Sequence, residues 1–314
     1  MDLSSPKECQ FGFLRAKFNR DSYPKHFDID LFFYSGKTLS HYTDLHGLYG
    51  IVESGGFWLS DHRFLNDTEE FENGRKLTSN LLERMANIDR HKTFSSVLKE
   101  TIVKLSGYSE QAYYVCSFSK RADSLDQWKS YANNGHGISI TFNNYQKKPS
   151  SHFFVMPIMA ASKVLYEDSD KVKILIRTIR RYESEYIKDI EHGNHIDLDD
   201  WSAQLAQRLA MEFINFKHPE YSSEEEIRMA VPTSYLHHFK GIKHRPSTDR
   251  IIPYITSKDI YDIGGLGEEL LPISEIRVGP AINQDMTVRS IQEYMENKGY
   301  ASVSVIKSNV PYRG

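Results

Sequence analysis

The chain has 314 residues, with 39 lysines and arginines against 42 aspartates and glutamates, and its formal net charge is −3. Hydrophobic residues make up 39% of it and charged residues 26%, a balance typical of a globular protein with a sizeable core. The slightly acidic total argues against nonspecific binding of the whole chain to nucleic acid or to an anionic membrane.

The two cysteines, Cys9 and Cys116, are far apart in the sequence. They form neither a disulfide framework nor a zinc motif, and so small a number fits a reducing compartment. The opening residues MDLSSPKECQ lack the apolar core of a signal peptide, and no stretch approaches the roughly 20 apolar residues of a membrane span. We therefore expect a cytoplasmic protein, and we expect no metal site.

The predicted elements of the first half mix strands with helices. Residues 1–30 have no periodicity and are expected to form an arm, and KTLSHYT then predicts a strand. Thr43 is the predicted cap of a helix over DLHGLYGIVES, with Gly55 as its C-terminal stop, and FWLS predicts a short strand. Further helices are predicted from about residues 66–67, over 94–105 and over SLDQWKSYANN, and further strands at AYYVCSF, GHGISITF and FFVMPI.

The second half begins with two amphipathic helices, predicted over residues 168–191 and 199–215. The strands EEIRMAV, RIIPYIT and SEIRVG follow, then a helix near residues 285–297 and a final strand ASVSVIK. Strands often succeed one another without an intervening helix, which favours an α+β fold with a mixed or antiparallel sheet and several flanking helices. We expect residues 31–314 to form one domain with a helical insertion at about 165–216.

Polar residues near the first predicted strand form one candidate constellation. His41 and Tyr42 are adjacent on that strand, so they point to opposite faces and only one can face a given cleft. A histidine at this position can donate a hydrogen bond to a ribose hydroxyl or a phosphate. The alternative is a half-buried histidine with a purely structural role.

A second constellation surrounds the segment DQWKSYANNGHG. Trp128 and Tyr131 share a helix face, which usually indicates core packing. The glycines of the turn at residues 133–137 permit either the close approach of a ligand or a tight turn alone.

The acidic segment EEEIR forms a third constellation. If it is a strand, Glu224, Glu226 and Arg228 face one side of it. Neighbouring charges of this kind tune the pKa values of catalytic carboxyls, although a solvated strand face with a paired arginine has the same pattern. Near the C-terminus, Arg245, Arg250 and Arg313 are candidate anion contacts and equally good partners for structural ion pairs.

Taken in order, these segments resemble the bacterial domain-of-unknown-function family numbered 2971. The resemblance is carried by HYT, GIVESGGFWLS and FLNDTEEF, by CSFS with DQWKSYANNGHGISITF, by FKHPEYSSEEEIRM, and by PYI with SNVPYR. It spans roughly residues 39–313, but it implies no particular reaction.

A histidine on a strand, followed by a helix that ends in a glycine turn, also resembles the first motif of ADP-ribosyltransferases. That resemblance implies a split antiparallel sheet that binds NAD as substrate. It implies catalytic roles for His41 on the first strand and for Glu226 or Glu224 on a later one. A carboxylate beside the ribose would stabilise the oxocarbenium-like transition state of glycosidic cleavage.

The same resemblance implies the residues that contact NAD. His41, with Tyr42 and Thr43 beside it, would hold the ribose edge, and Arg63 or Arg228 would pair with the pyrophosphate. An aromatic ring from Tyr131, Trp128 or Tyr114 would stack on the nicotinamide. His41, Tyr131 and Glu226 are therefore expected to line one cleft.

The leading functional hypothesis is transfer of ADP-ribose from NAD to a protein or nucleic acid, by a bacterial toxin or antiphage defence effector. Such an effector could have an antitoxin or a defence-system partner. One alternative is a nucleic-acid-acting or nucleotide-binding effector without NAD transfer. The other is a non-catalytic ligand-sensing module.

Overall fold

The computed structural model describes residues 37–65, 68–107, 113–143, 146–148, 151–152, 155–156, 159–232, 241–247, 249–263, 270–281 and 283–312. Its chain forms two compact units. The helical unit comprises Met1–Leu31, Asp67–Gln111 and Leu165–Lys217, and the sheet unit comprises Phe32–Asn66, Ala112–Val164 and His218–Gly314. The predicted arm at residues 1–30 lies outside the described residues, and the single domain with one helical insertion stays a prediction.

Helices of the described residues are numbered in chain order. They are α1 (Leu45–Ser54), α2 (Thr68–Ala86), α3 (Ser95–Leu105), α4 (Leu125–Tyr131), α5 (Asp168–Glu191), α6 (Leu198–Phe213), α7 (Ser257–Ile263) and α8 (Gln284–Asn297).

The strands are numbered in the same way. They are β1 (Thr38–Thr43), β2 (Trp58–Asp61), β3 (Tyr113–Ser119), β4 (Ile138–Asn143), β5 (Gln146–Lys148), β6 (Ser151–His152), β7 (Val155–Met156), β8 (Met159–Lys163), β9 (Glu226–Pro232), β10 (Lys243–Pro246), β11 (Ile251–Thr256), β12 (Ile273–Val278) and β13 (Ser304–Lys307).

The helical unit contains α2, α3, α5 and α6. Aromatic rings join its helices, with Trp201 of α6 edge-on to Tyr186 of α5 at 5.4 Å between centroids. Asp197 caps α6 by accepting from the Asp199 and Asp200 amides, which satisfies donors that a helix start leaves free. The two predicted amphipathic helices are therefore confirmed as α5 and α6.

The sheet unit contains all of the named strands together with α1, α4, α7 and α8. Its main path runs β13-β12-β4-β1-β3-β9-β8-β7-β6-β5, and β2, β11 and β10 form a branch from β3. The β12–β13 pair is parallel, whereas β1, β3, β4 and β9 pair antiparallel. The predicted α+β fold with a mixed sheet and flanking helices is confirmed.

Strand β3 is where the sheet divides. Strand β9 pairs along one edge of it from Tyr113 to Ser119. A strand has only two edges, so β1 and β2 must share the other edge. Strand β1 meets β3 at Ser119, and β2 meets it at Tyr114 and Val115. We call the gap between β1 and β2, along residues 116–118 of β3, the fork.

The two faces of the main sheet differ in chemistry because side chains alternate along each strand. The apolar face carries Leu39, Phe118 and Ile227, which belong to one core cluster with residues of α1, α7 and α8. The polar face carries Ser40, Ser119 and Glu226, which the strand register aligns across β1, β3 and β9. Burial of the apolar face beneath helices is the main source of stability for such a layer.

Two local predictions need correction. Asp44, not Thr43, caps α1, since its carboxylate accepts from the Gly47 amide at 2.7 Å. Glu224 does not lie on a strand, because it ends a 3-10 helix over Pro219–Glu224 and Glu225 then adopts a left-handed conformation with φ of 44°. The predicted stop at Gly55 is confirmed, with φ of 66°.

The turn at residues 133–137 is a packing feature. A Cβ on Gly137 would collide with the Thr43 carbonyl oxygen, and one on Gly279 would collide with that of Gly135. The Gly279 amide donates to the Gly137 carbonyl at 2.9 Å. Close backbone approach between these segments therefore accounts for the glycines.

The Asp123 carboxylate holds the C-terminal segment against α4. Its Oδ1 accepts from the Trp128 indole at 2.7 Å and from the Ser308 hydroxyl at 2.6 Å, and its Oδ2 accepts from the Asn309 amide at 2.9 Å. Arg277 approaches Oδ2 at 3.5 Å. One anion thus satisfies donors from three separate parts of the chain.

In the part of the chain that the structure describes, no helix combines the length and the apolar character needed to cross a membrane.

We predict that Asp123→Ala lowers the free energy of unfolding by about 3 kcal/mol and Tm by roughly 6–12 °C, because buried donors lose a charged acceptor. Thermal unfolding followed by circular dichroism measures this. The matched control, Asp126→Ala on the exposed side of α4, should change stability by less than about 1 kcal/mol. Equal effects of the two substitutions would contradict this role of Asp123.

Candidate functional site

The imidazole of His41 lies at the fork. As β1 leaves β3, its backbone no longer pairs with Ser117, and His41 Nδ1 lies 2.8 Å from the Ser117 carbonyl oxygen. A carbonyl oxygen only accepts hydrogen bonds, so Nδ1 carries the proton in this contact. In the neutral ring, Nε2 then keeps a lone pair that can accept a hydrogen bond or a proton.

The environment of His41 favours its neutral form. Burial lowers the pKa of His41, the hydrogen bond to Ser117 opposes this, and the nearby charge of Arg245 lowers it further. The ring of Phe118 packs against the imidazole at 5.7 Å between centroids. His41 is therefore suited to accept a hydrogen bond from a hydroxyl group near neutral pH.

Cys116 is close to His41 but is not an activated nucleophile. Its Sγ lies 3.8 Å from His41 Nδ1. Burial raises the pKa of the Cys116 thiol far above its ordinary value, so the thiolate needed for nucleophilic attack is not formed. The pair does not constitute a cysteine–histidine catalytic site.

Arg245 supplies the positive charge of the fork. It lies on β10, and its Nη2 donates to the Ser60 hydroxyl of β2 at 3.1 Å. Its guanidinium carbon is 5.7 Å from the centroid of the Trp58 ring, and Trp58 in turn packs against Tyr254 at 4.8 Å. The fork thus has an acceptor in His41 and a cation in Arg245, whose charge lowers the pKa of His41. Strand register pairs Ser60 with Val115, so the Ser60 side chain lies on the face opposite to His41.

The predicted acidic residues form a second cluster, on the polar face. Arg228 binds Glu226 in a bidentate pair, with Nε 2.6 Å from Oε1 and Nη2 3.1 Å from Oε2. The Tyr131 hydroxyl donates to Glu224 Oε1 at 3.0 Å. The structure therefore brings these predicted residues together in two pairs, but it places Glu226 on the face opposite to His41.

Other predicted site residues have structural partners. Tyr42 is buried on the polar face, where its hydroxyl donates to the Arg121 carbonyl at 2.8 Å. Trp128 is fully buried edge-on to Tyr42 and presents no open ring face, and Tyr114 lies in the core. Thr43 ends β1 before the capping residue of α1.

Of the predicted phosphate-binding arginines, Arg63 and Arg228 are both neutralised by carboxylates. Arg63 Nη2 donates to Asp61 Oδ2 at 2.7 Å and its Nε to Oδ1 at 3.1 Å. Arg250 pairs with Asp249 at the surface. Arg313 lies outside the described residues.

Sequence reasoning missed Ser60 as a site residue, and it placed Arg245 only among general anion contacts. Ser60 was visible as the polar residue two positions after Trp58 on a short strand. Nothing in the local pattern links it to Arg245, because that contact joins residues 185 positions apart.

Across the described residues, no three histidine, cysteine, aspartate or glutamate side chains are grouped closely enough to hold a metal ion.

Comparison with known proteins gives a match to a family model. Residues 127–229 match the model of the family described as Protein of unknown function (DUF2971). No curated protein and no solved structure matches the chain. The matched stretch includes Tyr131, Glu224, Glu226 and Arg228, whereas His41 lies outside it. The resemblance to this family is supported over those residues, and the resemblance to ADP-ribosyltransferases stays a prediction.

We predict that His41 titrates below its ordinary pKa of 6.5 and is the Nδ1–H tautomer when neutral. The folded state then binds fewer protons than the unfolded state as pH falls below 6.5. The contribution of His41 to stability is therefore complete above pH 6.5 and is lost as pH falls toward the folded pKa.

Nitrogen-15 NMR of labelled protein, with His41→Asn to assign the resonance, measures both properties. A midpoint at or above 6.5 would show that burial and the charge of Arg245 do not dominate the pKa of His41. An Nε2–H tautomer would show that the imidazole is not held by the Ser117 carbonyl.

Proposed function

We propose that the protein binds a nucleotide of the NAD class in the fork of its sheet. The observation that carries this proposal is the position of a neutral histidine and an arginine where β1 and β2 separate. The lone pair of His41 can accept a hydrogen bond from a ribose hydroxyl, and the Arg245 guanidinium can bind an anion. A sheet that divides beside a histidine-bearing strand also supports the resemblance to ADP-ribosyltransferases.

On this basis we further propose an ADP-ribosyltransferase-like reaction with NAD as substrate. The bond between the ribose C1′ and the nicotinamide nitrogen breaks, and nicotinamide leaves with the bonding electrons. C1′ then bonds to a nucleophilic atom of a protein or nucleic acid, which loses a proton. A carboxylate near the ribose would stabilise the oxocarbenium-like transition state. The resemblance gives this role to Glu226 with Glu224 as the substitute, although strand register places Glu226 on the face opposite to His41.

The biological setting that fits this reaction is a bacterial toxin or antiphage defence effector acting in the cytoplasm. Transfer of a bulky, charged ADP-ribose group would disable a macromolecule by charge and steric hindrance. Control by an antitoxin or another defence-system protein belongs to the same proposal.

A second candidate is a nucleotide-binding effector that does not transfer ADP-ribose. It is favoured by one observation, namely that strand register places His41 and Glu226 on opposite faces of the sheet. Glu226 also shares both carboxylate oxygens with Arg228. In this candidate, the fork binds the nucleotide and the acidic cluster stabilises the polar face.

We predict that the wild-type protein binds NAD, and that His41→Ala weakens binding about 2- to 13-fold because one hydrogen bond to the ribose is lost. Isothermal titration calorimetry measures the affinity. His46→Ala is the control, since His46 is an almost fully exposed side chain on α1. Absence of NAD binding to the wild-type protein would exclude both the binding proposal and the transfer reaction.

The transfer reaction is tested separately with labelled NAD, a cell lysate and added nucleic acid. We predict labelling of a macromolecule by the wild-type protein and none by Glu226→Gln, with NAD affinity unchanged. Binding of NAD without labelling would favour the second candidate. Full labelling by Glu226→Gln would remove that carboxylate from the reaction.

A further inference from the structure

The arginines of the sheet unit differ in how their charges are neutralised. Arg63, Arg121, Arg228 and Arg277 each donate to a carboxylate, with closest nitrogen–oxygen distances of 2.7, 2.6, 2.6 and 2.9 Å. Arg245, in contrast, forms no salt bridge within the described part of the chain. Its identified hydrogen-bond partner there is the neutral Ser60 hydroxyl.

Arg245 is also partly removed from water. Its Nε is buried and has no hydrogen-bond partner among the described residues. Buried donors of charged groups are normally satisfied, and a guanidinium withdrawn from water without a carboxylate lowers stability. The buried Nε of Arg245 is therefore available to a ligand that can accept a hydrogen bond.

The surroundings of Arg245 are suited to an anion. Burial has the largest effect on the pKa of Arg245 and lowers it, whereas Tyr254, Asp44 and Cys116 act in the opposite direction. The Asp44 carboxylate caps α1 and acts on Arg245 without forming a salt bridge with it among the described residues, and Cys116 has a thiol whose pKa burial raises. Among the described residues, Arg245 therefore has no carboxylate in direct contact, and the Ser60 hydroxyl beside it is an additional donor.

We infer that Arg245 and Ser60 form a binding site for a phosphate or pyrophosphate group of a nucleotide. The planar guanidinium can present two parallel N–H groups to phosphate oxygens, a geometry that a lysine cannot reproduce. The Trp58 ring, which packs beside both Arg245 and Tyr254, orients the guanidinium. This inference rests on the proposed function for the identity of the nucleotide, and it moves the phosphate-binding role from Arg63 and Arg228 to Arg245.

The decisive experiment measures binding of inorganic pyrophosphate and of NAD to the purified protein by calorimetry. We expect both to bind the wild-type protein, and Arg245→Met to weaken both about 10- to 150-fold. Arg245→Lys should recover only part of the affinity, because it restores the charge without the forked donors. Arg289→Met, on the exposed side of α8, is the matched control and should bind both as the wild type does.

The stability of the ligand-free variant separates a binding role from a structural one. Removal of a partly buried charge that has no salt-bridge partner among the described residues should leave Tm of Arg245→Met equal to or above that of the wild type. A lower Tm with unchanged pyrophosphate affinity would assign Arg245 a structural role and overturn the inference. Ser60→Ala gives a second, milder test, with an expected loss of roughly 3- to 10-fold in pyrophosphate affinity.

The outcomes distinguish this site from the proposed function. Pyrophosphate binding that depends on Arg245, without NAD binding, would support the anion site and contradict the choice of NAD. NAD binding that is unchanged in Arg245→Met would support the nucleotide proposal and overturn the anion site. Failure of pyrophosphate to bind the wild-type protein would also overturn it.

Discussion

Competition for one edge of β3 is the constraint on which the sheet unit depends. With β9 paired along the other edge, β1 and β2 must divide what remains, and the carbonyl of Ser117 falls where β1 has already turned away. A backbone acceptor inside a fold needs a donor, and His41 provides it from its side chain. The same hydrogen bond closes the backbone network and orients the imidazole. The contact between His41 and Ser117 therefore serves both the fold and the candidate site.

Much of the fold could be predicted from sequence because the signals are local. Helices α5 and α6 follow from apolar residues at helical spacing, and the end of α1 follows from Gly55, which adopts the left-handed conformation that glycine permits. The predicted cap of α1, Thr43, is wrong by one residue, because Thr43 and the observed cap Asp44 both have side chains that favour this position. Errors of this size leave the order of elements unchanged.

The candidate site could be predicted only in part, because it depends on pairing between distant strands. Alternation along EEIRMAV correctly places Glu226 and Arg228 on one side, but only the register of β9 against β3 and of β3 against β1 decides that His41 is on the other. A shift of one residue in either pairing would have put His41 and Glu226 on the same face. The contact of Arg245 with Ser60 depends in the same way on β10 reaching β2 through β11.

The acidic cluster on the polar face and the residues of the fork differ in how their charges are balanced. On the polar face, Glu226 and Arg228 neutralise each other through two hydrogen bonds, so that neither needs an external ion to be stable in a buried position. In the fork, the histidine is neutral, the thiol is protonated, and Arg245 has a hydroxyl group where Arg63, Arg121, Arg228 and Arg277 have a carboxylate. An anion bound there would supply the missing negative charge and would gain more from Arg245 than from an arginine already paired. For this reason the fork, rather than the acidic cluster, is the better place to look for the ligand.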